Sequence, residues 1–312
     1  MSKKILTAML LASVLTANQS TLTDISFNAD EDGNLNPSIF IPIYYGKSNQ
    51  FYSAIGYSSS NRSEVEKLSE FSDSKNAFIS SSKDLNINYL TYKTKVSSIE
   101  LSLGFNSTFT SRTNNEFGYI HDSDNQLGEG TDYYISFDNE IELDIYTHAI
   151  NADIMIPIGE RFKSRFSLNL SPYSTIGVKQ STLFKPLVEE IGSSDSSQTQ
   201  DLAYKISYDL DIKTGVFFDI GLSASYNAQS LKYDIATLGT EDSNYVFKSE
   251  LIDMTEVTTS YMVRLIFNKE LLGDLKPSIG FGIESLEVTD NITKKSTSEE
   301  KTIFSFGFEK KF

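Results

Sequence analysis

The chain contains no cysteine and no tryptophan, and among its 312 residues there are only two histidines and six prolines. Without cysteine there is no disulfide framework, no thiolate metal site, no cysteine nucleophile and no lipidated N-terminal cysteine. Past the N-terminus no run of 18 apolar residues occurs, which excludes a helical membrane protein. Basic residues are outnumbered, 27 Lys and Arg against 42 Asp and Glu, for a net charge of −15. Nucleic-acid binding needs a basic patch, and none is present. Zinc-ligand spacing and a phosphate-binding glycine motif are also missing, so no metal and no cofactor is expected.

What is present begins with "MSKKILTAMLLASVLTANQ". Lys3 and Lys4 precede an uncharged, mostly apolar stretch from Ile5 to Ala17. That stretch is too short to span a bilayer and suits a secretory signal peptide, so residues 1–17 are set apart and 18–312 read as a single exported domain.

Twelve later segments alternate with period two, the mark of strands with one apolar and one polar face. In "TEVTTSYMVRLIF" Val257, Thr259, Tyr261, Val263, Leu265 and Phe267 share one face, with Glu256, Thr258, Ser260, Met262, Arg264 and Ile266 on the other. "LAYKISYDLDIK", "VFFDIGLSASY", "RFSLNLSPYSTIGV" and "IELSLGFNSTF" behave alike. Short turns near Lys47, Lys95, Gly159, Thr214 and Leu272 alternate with longer links at about 59–82, 111–140, 183–200, 232–254 and 289–300, and an acidic one at 29–36. The long links together carry a charge of −16, so strands and short turns are near neutral. Short turns at one end and long loops at the other describe a transmembrane barrel, with the long links outside. The fold expected is all-β: an antiparallel up-and-down transmembrane β-barrel of twelve strands. With no tryptophan, its interfacial girdle must come from residues such as Tyr44, Tyr45, Tyr57, Tyr226 and Tyr261.

The last residues, "FSFGFEKKF", place Phe304, Phe306, Phe308 and Phe312 on one face and end the chain on an aromatic residue. This resembles the C-terminal signature of Gram-negative outer-membrane β-barrel proteins, although Lys310 departs from the usual apolar residue. The resemblance implies outer-membrane localisation, lipid as a partner, and recognition of the four phenylalanines by the barrel-assembly machinery.

A twelve-stranded barrel has a backbone radius of about 11 Å, which leaves a few ångströms inside its side chains. Small inward residues, among them Ser207, Gly221, Ser223 and Gly280, favour a lumen. Inward charges gather toward the short-turn end: Asp209, Asp211, Asp219, Arg165, Arg264 and Lys205, with Glu284 beyond. Folding residues 202–226 about Thr214 sets Asp209 opposite Asp219. These seven are the candidate pore-lining residues, either a constriction sorting solutes or a wall-bracing salt-bridge network. The leading function is a narrow porin-like channel for small polar or cationic solutes. A non-conducting surface barrel with adhesin-like or receptor-like loops is the alternative.

An enzyme is not expected. A lipid hydrolase would rest on His148, which shares a lipid face with Ile150, Ile154 and Ile156, and on Ser174, which lies opposite it when this hairpin is folded about residue 161. That placement resembles outer-membrane phospholipase A, but the residue two past His148 is Ile150 rather than serine, and no third group orients the imidazole. Asn28, Asp30, Asp32 and Gly33 resemble part of an EF-hand loop, with Ile39 where the bidentate glutamate belongs. A hairpin tip is the expectation there.

Overall fold

β-Branched and aromatic residues alternating with Ser, Thr, Asn and Asp favour extended backbone throughout this chain. The computed structural model describes residues 24–30, 35–45, 50–67, 75–122, 133–185, 189–191, 196–200, 203–215, 217–241, 244–268 and 276–309. Among the described residues fourteen strands form: β1 (Asp24–Asp30), β2 (Leu35–Tyr45), β3 (Phe51–Lys67), β4 (Lys75–Val96), β5 (Ile99–Asp122), β6 (Tyr133–Ile158) and β7 (Phe162–Lys185). Then follow β8 (Glu189–Ile191), β9 (Ser196–Gln200), β10 (Ala203–Ile212), β11 (Phe218–Glu241), β12 (Asn244–Phe267), β13 (Lys276–Asp290) and β14 (Ser296–Glu309). The expected signal peptide and Phe312 lie outside the described residues.

Pairing is antiparallel throughout, and twelve of the strands close on themselves. β1 pairs with β14 and β2, neighbours then follow in order to β7, and β7 pairs with β10, which leads through β11, β12 and β13 back to β14. Each of these twelve strands is paired on both sides over part of its length, which is the condition for a sheet to cross lipid. β8 and β9 are short additions on the far half of β7, with β9 pairing Ser174–Val178. The seam between the first and last strands is short, Ile25–Asp30 against Phe308–Ile303.

One end carries tight turns. Val96 pairs with Ile99 around Ser97 and Ser98, with Ser97 at φ 59. Gly159 turns the β6–β7 hairpin at φ 65, a conformation that a glycine adopts without a Cβ clash. At the opposite end the structure differs from the sequence-based expectation. The links expected near 59–82, 111–140 and 232–254 are largely strand: β5 and β6 pair as far as Asp122 with Tyr133, and β11 and β12 as far as Glu241 with Asn244. A transmembrane strand needs about 9–11 residues, so strands of 24 and 26 residues such as β5 and β6 project well past the bilayer.

Those projections invert the polarity of the wall. On the membrane half of β6, Ile150, Ile154 and Ile156 face out and are exposed, while Asn151 and Asp153 face in. Beyond His148 the same strand turns Leu143 and Ile145 inward, both buried, and Asp144 and Glu142 outward to Lys179 of β7 (3.8 and 3.6 Å). β11 repeats the switch: Leu222 and Tyr226 face out below, whereas Leu231 and Tyr233 are buried inside above and Lys232 pairs outward with Asp253 at 3.4 Å. Lipid rewards an apolar outer face, and water rewards the reverse. The switch therefore marks the bilayer boundary. Tyr146 to Ile158 is the lipid-facing stretch of β6, and with tilts of about 40° it spans roughly 30 Å. Aromatic rings cluster at this boundary, Phe109 against Tyr146 (4.7 Å between centroids) and Tyr89 against Phe105 (5.7 Å). Phe304 and Phe306 lie exposed on the outer face, Phe304 edge-on to Phe281 at 5.4 Å, and Phe308 pairs in register with Ile25 and Pro277.

Candidate functional site: the lumen

Inward charges gather near the tight-turn end, and one of them lies elsewhere than a hairpin folded about Thr214 would set it. Asp209 stands directly between Arg165 of β7 and Ser223 of β11, and Asp211 between Lys163 and Gly221. Asp219 does not face Asp209. β10 and β11 pair Ile212 with Ile220, about a centre two residues beyond Thr214, so Asp219 falls at the base of the barrel. There its carboxylate is buried and accepts from the Thr214 amide (3.3 Å) and the Asn268 side-chain amide (3.5 Å). Its role is to hold a turn.

Around the lumen the remaining charges of opposite sign are interleaved. Asp209 lies within electrostatic reach of Arg165, Arg264, Asp211 and Lys205. Lys93 of β4 is within reach of Arg165, Glu100, Asp153 and Lys163. Going round by strand, Lys93, Asp153, Arg165, Asp209 and Arg264 read plus, minus, plus, minus, plus. Asp153 also accepts from the Ser102 hydroxyl at 2.6 Å. Alternation lets each charge neutralise its neighbours, so the ring offers polar contacts to a solute without a strong field of either sign. Lys93 and Asp153 fall in weakly alternating segments, which is why they were not among the candidates.

Next along the axis comes an uncharged belt. Asn88 and Thr91 are buried and exchange hydrogen bonds of 2.7 and 3.0 Å. A Cβ at Gly104 would collide with the Thr91 hydroxyl, so glycine is what lets Thr91 lie flat against β5. Asn106 donates to Asn86 at 3.2 Å and accepts from Asn169 at 3.4 Å, reaching over β6 where Ala149 leaves space. Lys205 is exposed and registers with Asn169 and Asn227. Glu284 pairs with Lys301 at 3.0 Å.

Above the belt two groups meet that local sequence patterns do not connect. Arg112 of β5 donates through Nη1 to both Glu256 oxygens of β12, at 2.8 and 2.9 Å, and Gln229 donates to the same carboxylate at 2.6 Å. β5 and β12 are not neighbours in the barrel, so this bridge runs across the lumen. Beside it Leu143, Ile145, Ile176, Val178, Leu231 and Tyr233 form a cluster at 0–6% exposure, with Ile252 and Met254 packed on it.

Register also places His148 and Ser174 apart from the expected pairing. His148 pairs with Tyr173 across the β6–β7 bulge, and Ser174 pairs with Thr147 and is fully buried on the inward face. The hydroxyl next to His148 is that of Ser107, 2.6 Å from Nδ1, with the Phe105 ring stacked 6.3 Å from the imidazole. Asn28 lies within β1, paired with Asn36 and Ser305.

No protein-family model and no curated protein matches the chain. Solved structures do. The translocator domain of the autotransporter NalP from Neisseria meningitidis superposes with a TM-score of 0.50 at 9% identity, covering 99% of this chain and 95% of that one. The β domain of the Bordetella autotransporter BrkA gives 0.47 at 10% identity, covering 84% of this chain and 100% of that one. The KdgM porin in complex with disordered oligogalacturonate gives 0.38 at 9%, covering 93% and 99%. At such identities the likeness concerns fold alone, and the two lower scores add no weight. Closure, an apolar outer face and the first superposition agree: the chain is an outer-membrane β-barrel.

Proposed function

With an outer-membrane barrel as the premise, we propose that this protein is a narrow channel for small polar or cationic solutes. The observation that carries the reading is the lining. From the charged ring through the asparagine belt, the membrane half of the lumen presents amides, hydroxyls and compensated charges, a surface that replaces part of a small solute's hydration. The ring itself is close to neutral. Any cation preference comes from the acidic outer links, whose field concentrates cations at the mouth.

The test is single-channel recording of the refolded protein in planar bilayers under a salt gradient. Small unitary steps with a modest cation-directed reversal potential are expected, and the preference should fade as ionic strength rises. Silent bilayers containing correctly folded protein would remove the channel reading. The second reading, a non-conducting surface barrel, would then stand. It is favoured by the Arg112–Glu256 bridge and the apolar cluster beside it, which occupy lumen that an open pore would leave to water.

A further inference from the structure

The Arg112–Glu256 bridge is a chord, and the two sides of the barrel that it separates differ. On one side lie β5, β6, β7, β10, β11 and β12, and on the other β13, β14, β1, β2, β3 and β4. The first side holds the apolar cluster, with Ile176 at 0%, Val178 at 1% and Leu143 at 2% exposure. The second side holds polar groups that water reaches. The Glu284 and Lys301 side chains are 29% and 32% exposed, and Ser58 bonds to Asp84 at 3.3 Å in a half-buried pair. Polar solutes do not cross a packed apolar sector, because shedding their hydration without new partners is costly. The bridge closes the flank of that sector with its own charges satisfied, and Gln229 takes up a further lone pair of Glu256.

We propose that the Arg112–Glu256 bridge confines permeation to the sector bounded by β13, β14 and β1–β4, and that Ser58, Asp84 and Glu284 line that path. The proposal rests on the channel reading above, and it makes the working bore about half of the barrel's cross-section. The residues that select the solute in the outer half are then those of the second sector.

The chain has no cysteine, so single substitutions report without a background. Ser58→Cys, Asp84→Cys, Ile176→Cys and Leu231→Cys would be refolded, checked by heat-modifiability on gels, and recorded in bilayers before and after a small cationic methanethiosulfonate reagent. Loss of most of the current is expected at Ser58→Cys and Asp84→Cys, with none at Ile176→Cys or Leu231→Cys. Loss at either cluster position, or at all four, overturns the partition. So does unchanged current at both Ser58→Cys and Asp84→Cys. If no variant and no wild-type protein conducts, the channel reading fails and the permeation claim fails with it. Mass spectrometry of the reagent-treated proteins separates the two failures. Modified Asp84→Cys beside unmodified Ile176→Cys keeps a wet and a dry sector, whereas equal modification removes the division itself. Leu231→Cys guards against a folding defect peculiar to Ile176→Cys.

Discussion

The membrane half and the outer half of this barrel are built from the same strands and obey opposite rules. Below His148, β6 turns isoleucines to the lipid and asparagine or aspartate to the lumen; above it, isoleucine and leucine go inside and carboxylates outside. The hydrogen-bonded ladder between β5 and β6 runs through the boundary without a break, while β6–β7 bulges between His148 and Ile150 and β4–β5 between Asn88 and Leu90. The solvent on each side decides which face is apolar. The membrane half is stabilised by a satisfied backbone in a medium that offers no hydrogen bonds, and its interior can stay polar. Above the membrane water competes for every peptide group, and a sheet there needs a core of its own. The apolar cluster supplies it, which is why it appears only where the strands outrun the bilayer.

The sharpest way to break this contrast is to remove one member of the outer core. Ile176→Ala should destabilise the outer half by about 2–5 kcal/mol, because a fully buried side chain leaves a cavity. Ala in place of exposed Ile156, on the lipid face, should cost less. Hydrogen exchange resolved by strand reads both, and equal losses would mean that the outer half has no core. Next comes a charge. Ile154→Lys should reduce stability in vesicles by about 2–4 kcal/mol, as expected near the bilayer midplane, while Glu142→Lys should be nearly neutral because that position faces water. Urea titrations of protein folded into vesicles compare the two, and a Glu142→Lys cost as large as that of Ile154→Lys would put the boundary in the wrong place.

A smaller effect sharpens the picture inside the membrane half. Gly104→Ala brings a methyl group onto the Thr91 hydroxyl and should cost about 1–3 kcal/mol. Thr91→Ala should relieve part of that cost in the double variant. Strictly additive losses would mean that the glycine has another purpose.

The smallest effect concerns the turn of the β13–β14 hairpin. Asp290 accepts from the Thr293 hydroxyl (2.6 Å) and from the amides of Thr293 (3.1 Å) and Ile292 (2.8 Å), and these bonds, the hydroxyl first, hold its carboxyl below the usual carboxylate range. A depressed pKa contributes stability above the ordinary carboxylate value, and that contribution is lost as pH falls through the lowered one. Acid should therefore loosen residues 291–295 before the barrel wall. Exchange at the Ile292 and Thr293 amides measures it, and in Asp290→Asn that part of the acid dependence should vanish.

Strand number and closure were legible in the sequence because alternation survives even where a single segment is weak. The outer half was not. Ile141, Leu143 and Ile145 have odd numbers, whereas Ile150, Ile154 and Ile156 have even ones. A reading that keeps one apolar parity per strand discards the first set as loop. The change of parity at His148 was itself the signal, since it is what a strand leaving lipid for water must show. The candidate site divides in the same way. Arg165, Asp209 and Arg264 could be placed because they sit on strongly alternating strands, toward the tight-turn end. Asp219 was misplaced because β10 and β11 pair about a centre two residues beyond Thr214. Arg112 with Glu256, and Ser107 with His148, are partnerships set by register and barrel closure, and nothing local encodes them.

The short seam between β1 and β14 bears on how such a barrel comes into being. Every other ladder joins stretches that are nearer in sequence, whereas this one joins the two ends of the chain and does so over six residues, Ile25–Asp30. Joining distant segments is entropically slow, and a short ladder offers little in return. Closure is then the last event of assembly, and the incomplete barrel spends its waiting time as a curled sheet with two live edges. Reversal should follow the same path. Mechanical extension from the C-terminus is expected to peel β14 away first, at a force lower than that needed later to part β11 from β12, which are paired along their full length.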